Sequence, residues 1–378
     1  MIRSVTTATI CLGVFSAACV PALAQKPEQV KSAAGPIAVE TVARLSSPWG
    51  LAFLPDGKML VTERLGQMKL VSRDGKTSAI GGVPKVRSQG QGGLLDIVPD
   101  RAFAENRTLY ICYAEEMSGG GRTTMASAKL ADGATALSDL KVIFRQDGPP
   151  TTGNHYGCRI VQGRDGNLFL GMGDHSTHRN EAQNLTNHLG KIVRVRPDGS
   201  VPDDNPFMKT KNAKPEIWSY GHRNIQGATL DPETGALWAT EHGPRGGDEL
   251  NRVEAGKNYG WPVIGFGMNY DGSPAHQSTA KEGMEQPVKQ WTPVIAASGL
   301  AFYQGDLFPK WKGQLFAGGL AGKTLVRLAL KDGKVADEER LLGELNERIR
   351  DVRSGPDGAI WLLTDGPSGR LLRLTPAG

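Results

Sequence analysis

Short apolar runs come in pairs along this chain, each pair joined by a polar turn rich in Asp and Gly. The segment Trp49-Gly-Leu-Ala-Phe-Leu54 passes through Pro55-Asp56-Gly57-Lys58 into Met59-Leu-Val-Thr-Glu63. The same unit recurs over 92–113, 153–174, 226–241, 298–318 and 350–365. Two apolar runs around such a turn read as a β-hairpin. Between the hairpins lie further apolar stretches (67–71, 191–195 and 324–328) that fit additional strands. The anchor residues of the six copies are Gly50, Gly93, Arg159, Gly227, Gly299 and Asp351. Their spacing is somewhat longer than the ~40–50 residues usual for propeller blades. The pattern predicts an all-β fold: a six-bladed β-propeller of four-stranded antiparallel blades, which removes exposed sheet edges by radial closure. A β-sandwich would explain neither the sixfold recurrence nor the length. The expected layout is a leader at 1–24, a linker at 25–36 and one propeller domain at 37–378, with 37–45 lending a strand to the last blade.

In a propeller, residues just before each first strand and just after each second strand share one face. Gln91, Asn154-His155, Arg223-Asn224 and Arg348 with Arg350 precede first strands. Gly173-Asp174-His175, the loop 242–249 and Gly319–Lys323 follow second strands. A base, several amides and several cations therefore converge on one mouth of the central channel. His155 is the candidate general base, since imidazole titrates nearest neutrality. Arg348 and Arg350 are two apart and point the same way on an extended segment. With Arg223 and Lys323 they form a cationic set suited to an anionic ligand. The loop 242–249, followed by Asn258-Tyr-Gly-Trp-Pro262, is rich in carbonyls and acids, the oxygen donors that calcium takes. It lacks EF-hand spacing, and His175 with His178 lacks the further ligands a zinc site needs.

Composition narrows the class. The chain of 378 residues is glycine-rich (49) and carries a net charge of +5. No Lys/Arg cluster of the kind nucleic acid requires is present. Residues 1–24 read as a cleaved secretory signal: Arg3, an apolar stretch, then Ala22-Leu23-Ala24. Export to the periplasm follows, and no later stretch is long or apolar enough to span a membrane. Cleavage leaves Cys112 and Cys158, either bridged or as two buried thiols. Nucleophile-elbow, Walker and Rossmann motifs are absent.

The chain resembles the glucose/sorbosone dehydrogenase family, in particular its periplasmic PQQ-dependent soluble aldose sugar dehydrogenases. The motifs that carry the resemblance are Gly-Gln-Gly-Gly-Leu-Leu (90–95), Gly-Asn-His-Tyr-Gly-Cys-Arg (153–159) and Ser-Tyr-Gly-His-Arg-Asn (219–224). Glu-His-Gly-Pro-Arg-Gly-Gly-Asp-Glu (241–249), Asn-Tyr-Gly-Trp-Pro (258–262) and Arg-Ile-Arg-Asp-Val (348–352) complete them. The resemblance implies that His155 takes the proton of the anomeric hydroxyl and that Arg223 lies near the developing charge. It implies that Gln91, Asn224, Lys323, Arg348 and Arg350 hold PQQ. Carbonyls of Gly243 and Pro244 would ligate the Ca²⁺ beside PQQ, and Glu249 and Tyr259 a second, structural Ca²⁺. One residue departs from the glucose-type pattern: Asn154 stands where an acid would steady the imidazolium, which predicts a less assisted proton abstraction. The expected substrate is an aldose sugar and the expected assembly a monomer or homodimer. The electron acceptor is open. Two rivals stand beside this reading, a Ca²⁺-dependent lactone hydrolase and a non-catalytic binding propeller.

Overall fold

The computed structural model describes residues 27–378. The expected leader lies outside them. The chain closes into a propeller of six antiparallel sheets. Blade 1 is Pro48–Phe53, Met59–Glu63, Gln67–Val71 and Thr77–Ala79. Blade 2 is Leu94–Pro99, Thr108–Met117, Gly120–Leu130 and Leu137–Arg145. Blade 3 is Gly157–Gln162, Leu168–Met172, Lys191–Val195 and Ile217–Tyr220. Blade 4 is Ile225–Leu230, Leu237–Glu241, Asp248–Val253 and Lys289–Trp291. Blade 5 is Ala297–Phe302, Leu315–Gly319, Thr324–Lys331 and Lys334–Leu341. Blade 6 joins Ile349–Ser354, Ile360–Thr364 and Gly369–Pro376 to Ile37–Leu45 from the start of the chain. The expected ring closure by 37–45 is present, and the sheet reaches further back than expected. Glu28–Val30, inside the predicted linker, pairs with Ile37–Val39 as a fifth strand.

The second strands of blades 1, 3, 4, 5 and 6 are buried along their whole length because neighbouring blades cover both faces. Continuous apolar runs rather than alternation are the sequence form of such strands. Their turns reverse through Gly57, Gly166 and Gly358, at φ of 80, 81 and 79°, a region only glycine enters without strain. Apolar side chains of adjacent blades interlock as separate cores, for example Ala52, Leu60 and Met68 of blade 1 against Leu94, Ile97 and Ile111 of blade 2. Cys112 and Cys158 form a disulfide that ties blade 2 to blade 3. Among the described residues, no helix is long and apolar enough to cross a membrane.

The inner strands share a register shift that identifies equivalent positions. Gly50, Arg159, Gly227 and Asp351 each follow a bulge against the second strand. In blade 2 the shift falls between Leu94 and Ile97. This makes Asp96, rather than Gly93, the counterpart of the other anchors. The three glycines let blades approach: a Cβ on Gly50 would lie 2.9 Å from the Leu95 carbonyl. At the other anchors charge fills the space. Arg159, 1 % exposed, donates from Nη1 to Asp96 at 3.0 Å and to Asp351 at 3.2 Å. Arg353 pairs with the same two acids at 3.4 and 3.1 Å. These two arginines and two acids lie on first strands of blades 2, 3 and 6, and their mutual pairing makes the burial tolerable.

Candidate active site

Hairpin pairing builds the site at the upper mouth. Gly157 pairs with Met172, so two residues higher His155 faces Asp174. His155 Nδ1 lies 2.6 Å from Asp174 Oδ1. The backbone N–H of His155 donates to Gln91 Oε1 at 2.8 Å. Both side chains of the pair are buried, Asp174 completely. Burial alone would raise the Asp174 carboxyl, but attraction and hydrogen bonding to His155, with the Arg223 charge behind, hold it below the usual carboxylate range. Its second oxygen accepts from Trp261 Nε1 at 2.7 Å. The expectation that Asn154 leaves the histidine without acidic support is therefore corrected. The carboxylate comes from across the hairpin, and Asn154 instead helps shape the turn through Thr151.

Arg223 lies 5.3 Å from the Trp261 ring centroid and donates from Nη1 to the His242 carbonyl at 3.0 Å. Asn224 Oδ1 accepts from the Gly157 N–H and from Gln226 Nε2. In blade 6, Ile349 pairs with Thr364, and the next residues outward, Arg348 and Asp365, meet at 2.8 Å. Arg350 reaches the same carboxylate at 3.0 Å, so the two arginines share a side as expected. Asp365 thus offsets part of the charge of the cationic set. Lys323, at φ 47° in its turn, hydrogen-bonds Asn346 and is not part of the cavity wall.

A cavity of about 310 Å³ lies in this mouth, walled by Trp49, Gln91, Tyr156, Gln226, Arg348 and Arg350 among others. His242 is shared between it and a smaller neighbouring cavity. The His242 ring is pushed down to about 3 by burial first and then by the Arg223 and Arg350 charges, so it stays neutral. Buried polar atoms without a partner among the described residues include Arg223 Nε, Asn224 Nδ2 and His242 Nε2. Unpartnered buried donors are costly, and a polar, carboxylated cofactor supplies what they lack. The residues present fit PQQ in this respect.

The smaller cavity gathers Gly243, Pro244, Glu249 and Tyr259, together with Glu241. Glu241, buried, and Glu249, half-buried, are direct partners across two strands, with Asn251 Nδ2 donating to each at 3.0 and 3.2 Å. Burial pushes Glu249 well above the usual carboxylate range, and the charges of Glu241 and then Asp248 add to it. A Cβ on Gly243 would strike the carbonyls of Gly246 and Gly247, so the loop packs main-chain oxygens tightly. Paired carboxylates among carbonyls fit a hard divalent cation. No group of three or more His, Cys, Asp or Glu suited to a metal occurs among the described residues, so carbonyls would have to complete the shell. His175 is no ligand, because its two ring nitrogens lie against the Pro149 carbonyl and Gln146.

Sequence reasoning left four contributors unassigned: Asp174, Trp261, Asp365 and Arg64. The rule for residues after second strands placed Asp174 at the mouth without giving it a role, and it would also have reached Asp365 and Arg64. Arg64 lines the cavity and donates to the Gly90 carbonyl at 2.7 Å.

The mouth of the propeller thus joins a carboxylate-backed histidine to a cationic cradle. The model of the Glucose / Sorbosone dehydrogenase family matches residues 45–373. The chain belongs to that family of oxidoreductases. It is 44% identical over 338 residues to an aldose sugar dehydrogenase of Escherichia coli (strain K12), covering 88% of this chain and 91% of the relative. A crystal structure of a glucose dehydrogenase matches with TM-score 0.88 at 46% identity, over 90% of this chain and 100% of that one. The PQQ-bound form of an aldose sugar dehydrogenase from Streptomyces coelicolor matches with TM-score 0.75 at 31% identity, over 90% and 98%.

Proposed function

We propose that the chain is a periplasmic, PQQ- and Ca²⁺-dependent dehydrogenase that oxidises aldose sugars at C1 to the lactone. The observation that carries the reading is the His155–Asp174 pair beside the cationic cavity. With Nδ1 committed to Asp174, the other ring nitrogen, Nε2, is left to accept the proton of the anomeric hydroxyl. Asp174 fixes the ring orientation and offsets the positive charge that develops on it. Bound PQQ supplies the electron-poor carbonyl that takes the hydride from C1. Arg223, held by the His242 carbonyl and the Trp261 face, stabilises negative charge developing at that end of the mouth. Gln91, Asn224, Arg348 and Arg350 hold the cofactor, with Lys323 at the outer rim. Gly243 and Pro244 offer carbonyls to Ca²⁺, and Glu249 and Tyr259 to a second ion. Family membership and the PQQ-bound relative support the cofactor assignment.

Reduction of an artificial dye by the purified protein, with aldoses and with or without PQQ and Ca²⁺, tests the proposal. Turnover that needs both additions supports it. Lactone hydrolysis without quinone, or a folded protein that binds no PQQ, would replace it with the hydrolase or binding reading.

A further inference from the structure

The face opposite the cofactor mouth carries a larger hollow, about 800 Å³, set between blades 6, 1 and 2. It is formed by the turns that close the hairpins there, by the segment after the third strand of blade 1, and by the connection at 99–107. Its wall is apolar and aromatic: Leu54, Met59 and Phe103 are buried, and Phe53 meets Trp361 edge-on at 5.8 Å. Around this wall stand three arginines and three acids, and their pairing is unequal. Asp357 is taken by Arg373 at 2.7 Å and by Trp361 Nε1 at 2.9 Å. Glu40 faces the same Arg373 at 3.7 Å. Asp100 accepts from Tyr110, Asn106 and Gln162.

Arg73 and Arg101 have no carboxylate partner among the described residues. Arg73 donates only to the Asp56 carbonyl, at 3.0 Å, and its guanidinium lies against Gly57, where a Cβ would collide with it. Arg101 donates to the Gln162 carbonyl at 3.4 Å. The hollow thus joins an aromatic wall to two arginines that no carboxylate pairs, while Asp100 is held by three neutral donors and Asp357 and Glu40 share Arg373. A sugar offers little apolar surface to such a wall and no charge to its rim. A flat or alkyl body ending in a carboxylate or sulfonate matches both.

We infer that this hollow is a binding site for a small amphipathic anion, an aromatic or alkyl carboxylate or sulfonate, separate from the cofactor mouth. The body lies against Phe53, Phe103 and Trp361, and the anionic head meets Arg73 and Arg101.

The test uses 8-anilinonaphthalene-1-sulfonate as the probe, titrated by its fluorescence against the full mature chain. One saturable site is expected, with equal affinity with and without PQQ and Ca²⁺, displaced by octanoate or benzoate and not by glucose. The Arg73→Ala/Arg101→Ala variant weakens binding by about tenfold or more, since each lost contact is charge-assisted. Ala104→Trp, at an exposed rim position, fills the hollow and abolishes binding while keeping both arginines. Circular dichroism confirms that each variant is folded. Absence of saturable binding, displacement by PQQ, or unchanged affinity in both variants would overturn the inference.

Discussion

His155 Nδ1 lies 2.6 Å from Asp174 Oδ1, across the two strands of one hairpin. The contact leaves one ring nitrogen for substrate and places a buried carboxylate where the ring gains charge. Asp174→Asn keeps the shape and removes the charge. Turnover falls by about 10²–10⁴, the range associated with a positioned base. Near-native turnover in the variant would make Asp174 a packing residue only.

Arg350 and Lys323 were both expected to hold the cofactor, yet only Arg350 lines the cavity. Arg350→Ala weakens PQQ binding by about tenfold or more, and Lys323→Ala by about threefold or less. Equal losses, measured by PQQ fluorescence quenching, would mean that Lys323 leaves Asn346 and swings into the cradle.

Glu249 and Glu241 face each other across two strands, and the Glu241 charge adds to burial in disfavouring a charged Glu249. Ca²⁺ therefore raises the melting temperature of the native protein, and EDTA reverses the gain. Glu249→Gln relieves the repulsion, so the metal-free variant melts higher than the metal-free native protein and gains little from Ca²⁺. An undiminished Ca²⁺ response in the variant would place the ion elsewhere.

Burial would raise the Asp365 carboxyl, but Arg350 and Arg348 hold it below its ordinary value. A carboxyl depressed on folding contributes stability that is present above its unfolded pKa of ~3.9 and is lost as pH falls through the folded value. Urea unfolding from pH 6 to pH 3 should show native and Asp365→Asn stabilities converging below about pH 4. A constant gap across that range would mean the carboxylate contributes no pH-dependent stability.

Much of this architecture was legible because each blade repeats one hairpin, and burial on both faces writes its second strand as a continuous apolar run. The ring closure by 37–45 was legible for the same reason: an unpaired apolar strand ahead of the first blade needs a partner. What escaped depended on register. Blade 2 has Asp96 at the position where blades 1, 4 and 5 carry glycine, so alignment on residue type slid to Gly93. Asp174 was visible as the acid ending a hairpin. Its role depends on pairing across a bulge, which residue spacing does not display. Glu241 was hidden similarly, because its link to Glu249 runs between strands. Lys323 was placed by the correct face rule, but the turn at that position directs it to Asn346.

The central claim is that His155 acts in turnover and not in holding the cofactor. Its direct test is to compare PQQ affinity and dye-coupled aldose oxidation in native and His155→Ala protein, each loaded with Ca²⁺. PQQ affinity stays within about threefold of native, while turnover falls by about 10²–10⁴. Near-native turnover in the variant, or loss of activity that merely tracks loss of PQQ, would contradict it.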